Sequence, residues 1–345
     1  MSSVIMSKKA NTPTGPPPTL APIIEQLSAP DDQRRMDAVV HFFGSQDAIS
    51  KYGRIVRARV IGKGMSVFVI GITTSEHPEL AIKMKGRIKS SERDMADYVA
   101  RATNQVVTGR MYELHYNLVV DKAQHLKYDI MIGDRVRGET MATIWNKMSR
   151  MSLLLGPFKN DITTQLAALI LRMRTVQQPF IGRIGHNGHG PPRETRNLYD
   201  GGVGGYFGPF TGSDPEAEFD EWAISRLSGL GLGSMAEWRK KLEKDRQTRS
   251  SPQCFVLTHA DLSWDNIMLD KDNSSKYVIT GLIDWDRSAF FPQYAEYAVL
   301  SAVSHHDKRW LDILKAAVPQ GNCSKDRLTF TRLLKRALDP LAGGK

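Results

Sequence analysis

The sequence predicts an α+β protein with two unequal lobes, a small β-rich N-lobe and a larger, mainly helical C-lobe. Three observations carry this. Short runs rich in Val and Ile between Ile55 and Met84 are separated by glycine-bearing or polar turns, the pattern of a strand meander. In the larger remainder, apolar side chains recur mainly at helical spacing instead. Within that helical part, two further apolar runs flank a polar turn near Ser275, which signals a hairpin.

Residues 1–30 read as a disordered, proline-rich tail, with Pro13, Pro16, Pro17, Pro18, Pro22 and Pro30 and few large apolar side chains before Ile23. From Asp31 the pattern becomes helical: Met36, Val39, Val40 and Phe43 follow two first-turn acids, and Gly44 is a stop. Strands are predicted over Ile55–Ile61, Val67–Ile72, Leu80–Met84 and Tyr128–Ile132, with a helix over Ser91–Ala102. These complete an N-lobe spanning residues 31–134. The C-lobe, 135–345, carries helical patterns over Met141–Leu155, Ile162–Val176, Trp222–Leu227, Met235–Leu242 and Tyr294–Val303. Between them Gly182–Gly212, thick with glycine and proline, reads as a lid or binding loop.

Composition narrows the class. With 345 residues, 41% hydrophobic and 24% charged, the bulk of the chain can build a sizeable core. Its two cysteines, Cys254 and Cys323, are too few for a disulfide framework or a structural zinc site and fit a reducing compartment. No apolar run reaches the roughly 18 residues a membrane helix needs, and no secretory signal opens the chain, so a cytoplasmic protein is expected. The net charge is +10, and the stretch Lys51–Arg101, with eleven Lys/Arg against five Asp/Glu, holds +6 of it. Such a stretch suits an anionic partner, but on charge alone a solvated basic face is the favoured reading. No nucleic-acid motif accompanies it, so nucleic acid ranks last among the partners.

The chemistry concentrates in Thr258-His259-Ala260-Asp261-Leu262-Ser263-Trp264-Asp265-Asn266 and in Ile283-Asp284-Trp285-Asp286. Antiparallel pairing about Ser275 sets residues summing to about 550 opposite each other, so Asn266 falls opposite Asp284 at the open end of the hairpin. Asp261 sits on the loop entering the first strand. An amide oxygen beside a carboxylate offers hard ligands suited to magnesium. A second carboxylate nearby could accept a proton from an attacking hydroxyl. These are the parts phosphoryl transfer requires. A structural hairpin with solvated polar ends is the plainer alternative, and three agreeing spacings weigh against it.

His259-x-Asp261-x-x-x-x-Asn266 followed by Ile283-Asp284-Trp285-Asp286 resembles the catalytic and metal motifs of the aminoglycoside phosphotransferase family, whose fold is the two-lobed, protein-kinase-like one. The resemblance covers most of residues 50–300. It is nearest the family's fungal branch, through Gly138-Glu139-Thr140 with Trp145, Gly208-Pro209-Phe210, and Phe291-Pro292-x-Tyr294-x-Glu296-Tyr297. It implies Asp261 as catalytic base or hydroxyl orienter, with His259 bracing the loop, and Asn266 and Asp284 as ligands of magnesium on the phosphates of ATP. It further implies that Lys83 contacts the α- and β-phosphates and that Glu92 pairs with and positions Lys83. Read without the resemblance, Lys83 is an edge-strand lysine and Glu92 a first-turn acid. Gly62-Lys63-Gly64-Met65-Ser66 could cover phosphates with backbone N–H groups, and Asp134 falls near the hinge where backbone groups would meet adenine.

Departures from the family pattern are Ala260 where glycine is usual, Asp286 where glutamate is commoner, and Thr108 in place of proline; none removes a reacting group. The expected activity is therefore ATP- and Mg2+-dependent transfer of the γ-phosphate to a hydroxyl of a small molecule, by a monomer, resembling aminoglycoside and choline kinases. A catalytically silent, nucleotide-binding scaffold is the alternative. Protein-kinase activity is disfavoured because no Asp-Phe-Gly motif or Ala-Pro-Glu-terminated segment occurs. The stretch Asp214–Glu221 is acidic and would suit a cationic acceptor, though acids also favour a first helical turn, the simpler reading.

Overall fold

The computed structural model describes residues 21–64, 67–86, 88, 90–121, 123, 125–148, 156–184, 208–228, 234–249, 255–300 and 307–338. Its N-terminal part is a six-stranded sheet in the order β1-β2-β3-β4-β6-β5. The strands are β1 (Ile23–Ile24), β2 (Ile55–Lys63), β3 (Val67–Thr74), β4 (Leu80–Lys85), β5 (Met111–Asp121) and β6 (Leu126–Asp134). Only β1 runs parallel to its neighbour, with Ile23 opposite Arg57; the others pair antiparallel. The stretch read as a tail thus ends earlier than expected, because Ile23–Ile24 find a free strand edge on β2.

Period-two alternation sorts the sheet's side chains. One face sends Ala58, Phe68, Ile70, Ile72, Leu80, Ile82 and Ile130 into a core closed by Met36, Val39 and Phe43 of α1 (Pro30–Phe43) and by Ala48 and Tyr52 of α2 (Gln46–Tyr52). Helix α1 begins on Pro30 with Asp31 and Asp32 in its first turn, and Gly44 closes it by donating its N–H to Val40 and His41 carbonyls. The other face, carrying Val69, Ala81, Lys83 and Met131, looks into a cleft. Helix α3 (Ser90–Ala102) joins the C-terminal core through Met95, Ala96 and Val99.

The C-terminal part is mainly helical, with α4 (Met141–Lys147), α5 (Gly156–Arg174), α6 (Pro215–Leu227), α7 (Met235–Thr248), α8 (Ala295–Leu300), α9 (Lys308–Ala317) and α10 (Lys325–Leu338). Two small sheets are set among these helices. One orders β11 (Tyr277–Leu282), β10 (Ile267–Lys271) and β7 (Glu139–Thr140); the other orders β12 (Ala289–Phe291), β9 (Phe255–Thr258) and β8 (Gln177–Gln178). No helix among the described residues is long and apolar enough to cross a membrane.

Two sequence expectations need correction. The hairpin pairs Ile267 with Leu282 and Lys271 with Tyr277, with a bulge between Met268 and Leu269, so Ile283 and not Asp284 faces Asn266. Ile283 donates its N–H to the Asn266 carbonyl at 2.9 Å. Strand β5 was not expected at all. Its side chains are mostly half-buried or exposed and its register shifts three times, with Asn117 at φ 60, so no clean alternation marks it. The lid reading of Gly182–Gly212 falls mostly outside the described residues.

Candidate active site

The site is assembled from strand ends and one short helix. Lys83 stands in β4 opposite Val69 and Met131, and its side chain faces the cleft. Its Nζ bonds Glu92 of α3 and, at 2.8 Å, Oδ1 of Asp284. Glu92 is 1% exposed. Burial alone would lower the Lys83 ammonium's pKa, but the Glu92 and Asp284 carboxylates reverse this and hold it above its ordinary value. Burial raises the Glu92 carboxyl despite Lys83. Burial also acts against ionised Asp284, yet Lys83 outweighs it and the carboxyl lies below its ordinary range.

The loop between β9 and β10 is held by backbone bonds. His259 is fully buried, and burial lowers its pKa. Its Nδ1 accepts the Asp261 N–H at 3.3 Å and its Nε2 lies 3.0 Å from the Ile283 carbonyl. A backbone N–H can only donate and a carbonyl can only accept, so the neutral ring carries its proton on Nε2. Ala260 adopts φ 68, a left-handed conformation that explains the family's usual glycine there. Asn266 donates Nδ2–H to the Asp261 carbonyl at 2.9 Å, which leaves its amide oxygen as a free donor atom. Asp284 is likewise left-handed, at φ 64, just past β11.

A cleft of about 560 Å³ opens between sheet and helices, and Gly62, Lys83, Glu92, Asp134, Asn266 and Asp284 all line it. Asp261, His259 and Gly64 are not among its lining residues. The Asp261 side chain is about 30% exposed, with Arg287 Nε 3.8 Å from its Oδ2. Gly62 lies in β2, and the Gly64 N–H donates to the Val67 carbonyl at 2.9 Å, closing the turn. Ser66 lies outside the described residues. Asp134 ends β6, but its N–H donates to the Arg110 carbonyl at 2.8 Å and its carboxylate accepts from the Tyr112 hydroxyl at 2.6 Å. Its amide is therefore used by the sheet and not offered to the cleft.

Glu296, visible in the sequence only within an accessory motif, anchors the loop between β9 and β10. At the start of α8 and 3% exposed, it accepts the His259 N–H at 2.7 Å and the Ala260 N–H at 3.0 Å. The only local signal was one acid inside an apolar run. Thr108 is buried against the cleft, and the Asp286 carboxylate lies 3.6 Å from Lys85 while its carbonyl accepts from Arg183. The acidic stretch is largely neutralised internally. Glu216 and Asp220 are buried against Arg327, Arg249 and Arg246, and Glu221 pairs with Arg239 at 2.7 Å.

Residues 121–327 match the phosphotransferase enzyme family (APH), and the chain belongs to that family. Solved structures share its fold. The aminoglycoside phosphotransferase APH(4)-Ia superposes with a TM-score of 0.52 over 87% of this chain and 89% of its own, at 13% identity. A thermostable mutant of the same enzyme, in ternary complex with ADP and hygromycin B, gives 0.51 over 87% and 90% at 14% identity. No curated protein sequence matches the chain. The α+β architecture, a β-rich sheet followed by a helical part, is thus the kinase-like fold of phosphotransferases.

Proposed function

We propose that the protein is an ATP- and magnesium-dependent phosphotransferase that moves the γ-phosphate onto a hydroxyl of a small molecule. One observation carries the reading: Lys83, bonded to both Glu92 and Asp284, shares its cleft with Asn266, at the end of the loop that presents Asp261. Lys83 holds the nucleotide's phosphates, and Glu92 keeps its ammonium directed into the cleft. The Asp261 carboxylate takes the proton of the attacking hydroxyl, while His259 and Glu296 fix the loop that aims it. The free amide oxygen of Asn266 and the carboxylate of Asp284 are hard donors of the kind magnesium takes, and both face the cleft. Bound there, the ion would neutralise charge on the phosphates. Membership of the family also supports transfer to a hydroxyl acceptor; the fungal likeness rests on the accessory motifs alone.

The acceptor's charge is not set by Asp214–Glu221, since its buried acids already have guanidinium partners. Thermal unfolding with and without Mg·ATP tests the reading on wild type and Asp284→Asn. A ligand at a hundred times its Kd adds about 2.7 kcal/mol to stability. We expect a magnesium-dependent shift that Asp284→Asn weakens, and turnover that Asp261→Asn abolishes while nucleotide still binds. A wild-type protein that binds Mg·ATP yet transfers phosphate to no hydroxyl would make it a scaffold.

A further inference from the structure

Beyond the end of the ladder, where Gly62 faces Val69 and Lys63 faces Phe68, Gly64 is held within the hairpin by its N–H bond to the Val67 carbonyl. A side chain added at Gly64 would meet nothing within 4 Å, so the tip at Gly64 projects without packing. Such segments sit at the low-stability end of a fold. Two elements outside the sheet nevertheless grip it. The Asp32 carboxylate, in the first turn of α1, accepts from Lys63 Nζ at 2.5 Å; its side chain is 12% exposed against 58% for Lys63. Arg35, one turn on, bonds Asp32 at 3.2 Å and lies over the ring of Phe68, the register partner of Lys63. On the open edge of β2, the Glu25 carboxylate accepts the Val60 N–H at 2.6 Å, and the Glu25 N–H donates to the Ala58 carbonyl at 3.0 Å. The segment from β1 to the start of α1 therefore covers both the free edge and the back of the hairpin, on the sheet face opposite Lys83.

We infer that residues 23–35 form a strap, with Glu25 and Asp32 as positioning residues that pre-set the glycine turn for a nucleotide's phosphates. This rests on the proposed nucleotide site for its functional consequence, and on geometry alone for its mechanical one. A turn already held in place loses less freedom when ligand binds, so the strap contributes to affinity and not to the chemical step. It also directs the Lys63 ammonium to Asp32 and away from the cleft.

Amide hydrogen exchange at Gly64, without nucleotide, tests the mechanical claim in wild type, Asp32→Asn and Lys63→Met. We expect protection to fall several-fold in both variants; unchanged exchange in both overturns the strap. Lys63→Met lies on an exposed turn and stays informative if Asp32→Asn folds poorly. Mg·ADP calorimetry and kinetics test the consequence: both variants should weaken nucleotide binding about three- to tenfold, the net scale of one ordinary hydrogen bond, with kcat and the acceptor KM unchanged. The double variant should lose no more than either single one. Tighter binding in Asp32→Asn would overturn the inference, because Lys63 would then be a phosphate ligand that Asp32 withholds. If wild type binds no Mg·ADP, the nucleotide reading fails by itself and Gly64 exchange still decides the strap.

Discussion

Lys83 Nζ and Asp284 Oδ1, 201 residues apart in the chain, lie 2.8 Å from each other and tie the sheet to the helical part. The same ammonium is the cation facing buried Glu92. Replacing Lys83 by Met leaves both carboxylates without it, and breaking a buried pair in this way costs about 3–5 kcal/mol. Glu92, already raised by burial, would relieve part of the loss by taking up a proton. We expect Lys83→Met to lower urea stability by a few kcal/mol and phosphate transfer by about 10²–10³-fold, the scale for losing one electrostatic stabiliser. Transfer at the wild-type rate would remove Lys83 from the machinery.

Glu296 sets a distinct pH signature. Burial pushes its carboxyl from 4.5 up to about 7, although the His259 and Ala260 N–H groups and Arg174 favour the charged form. Because the folded value lies above the unfolded one, the folded protein keeps a proton that the unfolded chain releases between pH 4.5 and about 7. The stability tied to that proton is complete below 4.5 and is lost as pH rises through about 7. The difference is on the order of 3 kcal/mol at about 1.4 kcal/mol per pH unit. Unfolding free energies at pH 5, 6, 7 and 8 should fall more steeply in wild type than in Glu296→Gln. Parallel curves would show that Glu296 does not titrate in this window.

Ala260 stores a local conformational cost. A left-handed alanine costs about 1–2 kcal/mol, partly offset in a glycine variant by the greater freedom of its unfolded chain. Ala260→Gly should therefore raise stability by about 0.5–1 kcal/mol with the Glu296 bonds intact, as thermal unfolding would show. A loss of stability would mean that the methyl group, buried in the core, packs for more than the backbone strains.

How far the sequence disclosed this protein depends on range. The strands β2, β3 and β4 and the helices α1 and α3 were legible because each carries its own period and its own stop or turn residues. The pairing of Lys83 with Glu92 was legible through resemblance only, since neither residue is unusual for its element. Strand β5 was hidden by bulges, and helix α2 was too short to show a period. The hairpin turns about Ser274 and not Ser275, and the bulge between Met268 and Leu269, which no local pattern announces, shifts the register only part of the way back, to Ile283 opposite Asn266. Glu296 was unrecognised as a loop anchor for a further reason: its partners, the N–H groups of His259 and Ala260, are backbone atoms 36 or 37 residues away. Backbone donors carry no residue type, so nothing in the composition of either segment points to the other.

The acidic stretch that suggested a cationic acceptor has another use, and Arg327 tests it. Arg327 is 1% exposed and bonds Asp245 at 3.0 Å and Asp220 at 2.9 Å, with Glu216 at 3.5 Å. Tyr294 donates its hydroxyl to Glu216 at 3.0 Å, and Arg249 bonds Glu216 and Asp245 from the other side. Burial raises the Asp220 carboxyl in spite of Arg327, so this acid is ready to take a proton once its partner is gone. Arg327→Met should thus cost about 3–5 kcal/mol at neutral pH. The loss should shrink in mild acid, where the stranded carboxylate is neutral. Adding Asp220→Asn should recover part of it, and a double-mutant cycle by urea unfolding gives the coupling directly. If the two substitutions instead add without coupling, Asp220 is not held by Arg327. Arg246, the second guanidinium on this buried carboxylate, would then be its working partner, and the stretch would still offer no free buried acid to a cationic acceptor.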